Sequence, residues 1–211
     1  MRFAELRFLI LDTIYLLQFF NFNNQTVKVF LLLEPPFSTI SLELEDAAEA
    51  KKYSYFSLSD IYMSESVGGS DIAKRLEEAK SAGHEVLPHF AYRLIIEKYL
   101  QKAPKNLPNG FVLDPDCFGS AAEFEILMEV LEKAGHPIVV IDIQTPAEEC
   151  AEYIEDFGID ETEGLQEIAD YFERLYPEIQ TIIKAKGLQT ELFSSEEDPR
   201  VTFKRFGELL V

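Results

Sequence analysis

The chain alternates short apolar runs with longer segments of helical periodicity. Residues 27–33, 110–114 and 138–143 are almost continuously apolar, which is typical of parallel strands buried on both faces of a sheet. Residues 53–57 and 188–193 are two further strand candidates. Helices are predicted over residues 39–52, 71–82, 88–101 and 120–134, from Pro146 onward, over 161–186 with an interruption at Pro177, and over 199–210. Five strands separated by helices predict a three-layer α/β domain whose parallel sheet carries helices on both faces.

Composition narrows the classes of partner. The 211 residues, 47 % of them hydrophobic, fit one α/β domain with a sizeable core and room for an inserted subdomain. There are 38 acidic residues against 19 basic ones, which gives a formal net charge of −19. We expect no nucleic-acid partner, because binding one requires a basic footprint. For the same electrostatic reason, bound ATP would require a local basic cluster.

Cysteine and histidine usage predicts a reduced intracellular protein without a metal. Cys117 and Cys150 are too few for a disulfide framework. The three histidines, at positions 84, 89 and 136, form no metal-ligand spacing with these cysteines.

The first 26 residues form an apolar extension that we interpret separately from the domain at 27–211. Residues 8–22 are strongly apolar but include Asp12 and Gln18, so the run is too short and too polar for a transmembrane span. Arg2 and Arg7 precede it as in a signal peptide, but no cleavage site follows. We interpret the extension as a helix that docks its apolar face on the domain or on a partner. A misassigned start codon would produce the same pattern.

Several segments, in a consistent order, resemble known motifs. Residues 33–36 (LEPP) are similar to L-G-P-P at the entry to a phosphate loop, and residues 56–60 (FSLSD) to I-S-T-G-D. Residues 83–88 (GHEVLP) are similar to G-x-x-V-P with one extra residue, and 110–114 (GFVLD) to G-F-L-L-D. From residue 27 to 210 the chain resembles the adenylate kinase family of nucleoside monophosphate kinases. The resemblance implies a five-stranded parallel core and a small helical monophosphate-binding subdomain at about 58–87. It also implies a lid, but no lid-sized insertion follows the helix at Pro146.

The phosphate loop has lost the residues that bind phosphate. Family glycines align with Glu34, Phe37 and Thr39, the family lysine with Ile40 and its threonine with Leu42. Glycines let backbone N–H groups converge on phosphate oxygens, and the lysine reaches the outer phosphates. Bulky side chains block that approach. We therefore expect no nucleotide cofactor at these positions.

The basic residues that catalyse phosphoryl transfer in the family are also replaced. Family arginines align with Met63, Phe118 and Tyr153, and near Leu165 and Glu167; the adenine-recognising glutamine aligns near position 122. Phosphoryl transfer depends on positioning and on positive charge around the migrating group, and one arginine can be worth about a thousandfold or more in rate. The pattern therefore predicts no catalytic residue and no metal site.

Two aligned positions carry specific expectations. Asp114 ends a strand where the family places an acid linked to the metal, and it is the one candidate for a residual role. The simpler interpretation is a carboxylate that accepts hydrogen bonds at a strand end. We also hypothesise that Phe37 and Phe118 fill or line the former phosphate cleft.

Together these features predict an inactive, adenylate-kinase-like pseudoenzyme that serves as a protein-interaction or scaffold module. We expect a protein partner and a cytoplasmic location; by analogy with the family, assemblies of cilia or flagella are one setting. The alternative is a divergent nucleoside monophosphate kinase or nucleotide-binding protein that binds ATP and Mg. It would require a basic residue such as Lys28, Arg75 or Arg93 in the cleft.

Overall fold

The computed structural model describes residues 28–57, 74, 109–115, 118, 120–133 and 135–210. Its elements, in chain order, are β1 (Lys28–Leu33), α1 (Ile40–Ala50), β2 (Ser54–Ser57), β3 (Gly110–Asp114), α2 (Ala121–Lys133), β4 (Ile138–Gln144), α3 (Ala147–Glu152), a 3-10 turn (Ile154–Phe157), α4 (Glu161–Asp170), a π-helical turn (Tyr171–Leu175), α5 (Tyr176–Lys186), β5 (Gln189–Ser194) and α6 (Pro199–Leu209).

The five strands form one parallel sheet in the order β2-β3-β1-β4-β5. The register places Leu33 of β1 opposite Asp142 of β4, and Ser57 of β2 opposite Asp114 of β3. Because all strands run in one direction, their carboxyl-terminal ends meet at the same edge of the sheet. The predicted fold class, a parallel sheet in an α/β domain, is confirmed.

Helices cover both faces of the sheet. Successive side chains of a strand point to opposite faces. In β1, Val29, Leu31 and Leu33 therefore pack in the core formed with α2, α5 and the π-helical turn. Phe30 and Leu32 pack in the opposite core, which contains α1 and α6. This two-sided burial explains why the sequence of β1 is continuously apolar rather than alternating.

Gly110 begins β3 at a position that only glycine fits. Its φ is +151°, and a Cβ atom there would overlap the carbonyl oxygen of Lys28 and the ring of Tyr53. The close approach allows β3 to pair with β1 from its first residue, with Lys28 opposite Gly110. The entry of β3 into the centre of the sheet thus depends on a missing side chain.

The predicted interruption at Pro177 is wrong in position. Pro177 lies in the first turn of α5, where a proline fits well, and the irregular turn precedes it at Tyr171–Leu175. There the N–H of Tyr176 donates to the carbonyl of Tyr171, five residues earlier. The predicted helix at Pro146 begins one residue later, with Pro146 as its N-cap.

Several predictions lie outside the described residues: the extension at 1–26, the helix at 88–101 and, apart from position 74, the subdomain at 58–87 with its helix at 71–82. Among the described residues, no helix combines the length and apolarity needed to cross a membrane.

Candidate functional site

The turn after β1, residues 34–39, is the candidate site. β1 is the central strand, flanked by β3 and β4, and the turn leads directly into α1. Ligands of open α/β sheets bind in the crevice outside the carboxyl ends of the strands. The turn therefore occupies the place in which the resemblance puts a phosphate loop.

Phe37 has a left-handed backbone, with φ of 63°. This conformation costs a residue with a side chain about 1–2 kcal/mol, whereas glycine adopts it freely. Phe37 aligns with a glycine in the adenylate kinase pattern. At Phe37 the turn thus combines a backbone conformation that glycine adopts freely with a bulky aromatic side chain.

The side chain of Phe37 is 8 % exposed and packs in a small apolar cluster. Its buried partners are Cys150 of α3, Ile154 of the 3-10 turn and Ile168 of α4; these four residues are called the Phe37 cluster. Burial, together with the charges of Glu149 and Glu34, raises the pKa of the Cys150 thiol to about 12. The segment that follows β4 is therefore packed onto the turn through apolar contacts.

Hydrogen bonds and the apolar core hold the rest of the turn, where the N–H of Ser38 donates to the carbonyl of Pro35 at 3.3 Å. The hydroxyls of Ser38 and Thr145 form a buried hydrogen bond of 3.0 Å. Thr39 precedes α1 without a capping hydrogen bond from its side chain. Ile40, at the position of the family lysine, is buried in the core with α1 and α6. Leu42 lies in α1, and its side chain is outside the described part of the structure.

Two buried carboxyl groups flank the turn. Glu34 begins the turn and Asp114 ends β3, and both side chains are almost fully buried. The hydroxyl of Tyr55 donates to Oδ2 of Asp114. Burial raises the pKa of Tyr55, and the charge of Asp114, its hydrogen bond and the charge of Glu34 add to the increase, against a hydrogen bond with Ser41. Asp114 thus acts as a hydrogen-bond acceptor at a strand end.

The other aligned positions do not converge on the turn as a set of donors. Phe118 is buried, with its ring 5.4 Å from that of Phe124. Tyr153 is half-buried beside the Phe37 cluster. Leu165 is 46 % exposed on α4. Glu167 is also exposed on α4, and desolvation and the charge of Glu163 raise its pKa. Position 122 is exposed on α2, and Met63 lies outside the described residues.

Two basic side chains of the described residues, Lys28 and Arg174, make their contacts away from the turn. Lys28 is at the amino end of β1, with its Nζ atom 4.7 Å from the centre of the Phe30 ring. Six steps along the extended chain, about 20 Å, separate it from Glu34. Arg174 forms ion pairs with Asp170 and Glu178 on the surface. Arg75 and Arg93 are outside the described residues. Among the described residues, no group of three histidine, cysteine or acidic residues is placed to hold a metal ion.

Sequence reasoning missed Tyr55 and the apolar partners of Phe37. Tyr55 and Asp114 lie on adjacent strands whose register pairs Ser57 with Asp114. That pairing is not readable from the sequence, because it joins strands that are more than fifty residues apart. The local sequence around Ile154 and Ile168 shows only the apolar pattern of an ordinary helix, which does not indicate a contact with Phe37.

No protein-family model matches this chain, and no curated protein matches it in a sequence search. The likeness to adenylate kinases therefore remains a resemblance carried by the residues quoted above.

Proposed function

We propose that this protein is an inactive, adenylate-kinase-like domain that works by binding another protein rather than by transferring phosphate. The observation that carries the proposal is the Phe37 cluster. Its aromatic side chain lies between the β1 turn and the helices after β4, where a phosphate-binding loop would leave open backbone N–H groups. Apolar contacts replace the donors that a triphosphate requires.

Electrostatics supports the same proposal. Glu34 and Asp114 are buried beside the turn. A nucleotide brings several negative charges, and a site that binds it must supply positive charge or converging N–H donors. The two neighbouring carboxyl groups of Glu34 and Asp114 add negative charge or hydrogen-bond acceptors and so oppose the binding of a nucleotide. Binding of ATP at this edge of the sheet would thus meet both a steric and an electrostatic barrier.

A binding role fits the parts that remain intact. Both faces of the sheet are well packed, so the domain keeps a scaffold although its catalytic residues are replaced. The apolar extension at 1–26 is the segment we assign to docking on a protein partner. A cytoplasmic location, including assemblies of cilia or flagella, belongs to this proposal by analogy with the resembled family.

Binding of nucleotides is the direct test. The full chain is heated with ATP, with AMP and with a bisubstrate dinucleotide, each with magnesium, and an active adenylate kinase serves as control. A ligand at a hundred times its Kd adds about 2.7 kcal/mol, which raises the Tm of a domain of this size by roughly 5–10 °C. We expect no such shift for this protein. A shift of several degrees, or phosphate transfer by the pure protein, would establish the divergent kinase instead.

The partner half of the proposal needs a separate measurement. Proteins captured from a cell extract by the full chain are quantified with and without saturating ATP and magnesium. We expect a specific partner whose recovery is independent of nucleotide. Recovery that depends on ATP would favour a nucleotide-binding protein.

A further inference from the structure

Asp142 is a buried carboxyl group outside the candidate site. It lies near the end of β4, only 2 % exposed, on the face covered by α5. Oδ2 accepts hydrogen bonds from the hydroxyl of Tyr176, at 2.8 Å, and from Nε2 of Gln180, at 2.9 Å. Oδ1 is buried and has no hydrogen-bond partner among the described residues. One oxygen thus joins β4 to the first turns of α5, while the other is unsatisfied.

Among the described residues, the neighbours of Asp142 are aromatic, amide and apolar side chains. α5 contributes Tyr176 and Gln180, and the π-helical turn contributes Tyr171, whose ring centre is 5.8 Å from that of Tyr176. On the sheet, Leu33 of β1 and Leu192 of β5 are the register neighbours of Asp142. No lysine or arginine of the described residues forms an ion pair with it.

An ionised carboxylate is costly in such a place. Burying a charge without an ion pair is far more expensive than burying a neutral polar group. Burial accordingly raises the pKa of Asp142, and the hydrogen bonds from Tyr176 and Gln180 offset only part of the increase. The neutral acid is the form that this environment favours.

We propose that Asp142 is a proton-linked clamp that attaches α5 to β4 more firmly when it is protonated than when it is ionised. Because the folded domain holds this proton more tightly than the unfolded chain does, the stabilisation is complete below the unfolded pKa of about 3.9. It is lost as the pH rises through the raised pKa of the folded state.

The clamp is connected to the candidate site. α5 follows the π-helical turn. Phe172 in that turn packs against the Phe37 cluster and against the core formed by β1, α2 and α5. Weakening the start of α5 therefore loosens the segment that covers the β1 turn. Changes in pH would act on the proposed docking domain through this route.

The test compares Asp142→Asn with wild type by thermal and chemical unfolding from about pH 4 to pH 8. Asparagine keeps an acceptor but cannot ionise. We expect the variant to exceed wild type in Tm by roughly 2–4 °C at the upper pH, with the difference vanishing toward the lower pH. Asp156→Asn, on the exposed 3-10 turn, is the matched control for removing one negative charge. A difference that is constant across pH, or a less stable variant at the upper pH, would overturn the proposal.

Tyr176→Phe provides a second arm that does not depend on how asparagine packs. Losing the hydroxyl donor disfavours the ionised form further, so the pH-dependent loss of stability should extend to higher pH than in wild type. Amide exchange of α5, corrected for its intrinsic pH dependence, should accelerate over the same range. A purely structural hydrogen bond would lower stability equally at every pH and would contradict the clamp.

Discussion

Replacing Phe37 by alanine and by glycine separates its side-chain packing from its backbone strain. Both variants lose a buried aromatic side chain, which costs about 3–5 kcal/mol. Alanine stays in the left-handed conformation and keeps a strain of about 1–2 kcal/mol, whereas glycine has none. Relative to alanine, glycine lowers the free energy of unfolding by about 0.5–1 kcal/mol, because the unfolded chain has more conformational entropy with glycine. We therefore expect the glycine variant to be the more stable of the two by roughly 0.5–1 kcal/mol.

This order is the reverse of the usual one, and a helical position supplies the control. Glu129 is exposed inside α2 and pairs with Lys133 at 3.2 Å. Both Glu129→Ala and Glu129→Gly lose that ion pair, so their difference reports backbone preference alone. In a helix interior the glycine variant should be less stable by about 1 kcal/mol.

Urea unfolding followed by circular dichroism measures all four variants against wild type. The comparison of interest is the glycine-minus-alanine difference at each position, which cancels the common loss of the side chain. A lower stability of Phe37→Gly than of Phe37→Ala, similar to the pair at Glu129, would refute the left-handed turn at Phe37. The β1 turn would then have no backbone conformation of the kind that glycine favours.

Two further predictions concern the central sheet and the Phe37 cluster. Gly110→Ala should lower the free energy of unfolding by about 2–5 kcal/mol in the same urea titration, because a Cβ atom there overlaps Lys28 and Tyr53. Gly135→Ala is the control: the space around Gly135 is open, so this substitution should cost only about 1–2 kcal/mol. Equal costs for the two variants would contradict the close approach at Gly110. Because its pKa is raised to about 12, the thiol of Cys150 should stay protonated at about pH 8 and resist alkylation. Labelling is measured on the folded Cys117→Ser protein, in which Cys150 is the remaining cysteine. Labelling as fast as in the urea-unfolded protein would contradict the buried position.

Much of the fold was predictable, because strands buried on both faces carry a local signal. The runs at β1, β3 and β4 are so uniformly apolar that their existence follows from the residues themselves. Most predicted helix boundaries that fall on described residues agree with the structure within two residues, whereas α4 ends at Asp170, well before the break predicted at Pro177. The order of the strands was not predicted, because pairing of β1 with β3 and β4 depends on contacts between distant segments.

Residue types alone predicted the parallel α/β fold, and they place no glycine or lysine between Glu34 and Leu42. The contacts of the β1 turn and of Asp142 come from the tertiary structure: Phe37 meets Ile154 and Ile168, more than a hundred residues away, and Asp142 meets Tyr176 and Gln180 on another element. The physical reason is that residue types limit which chemistry can occur, whereas burial and hydrogen bonding depend on which distant segments pack together. The left-handed backbone of Phe37 illustrates this, since no local preference of phenylalanine favours it.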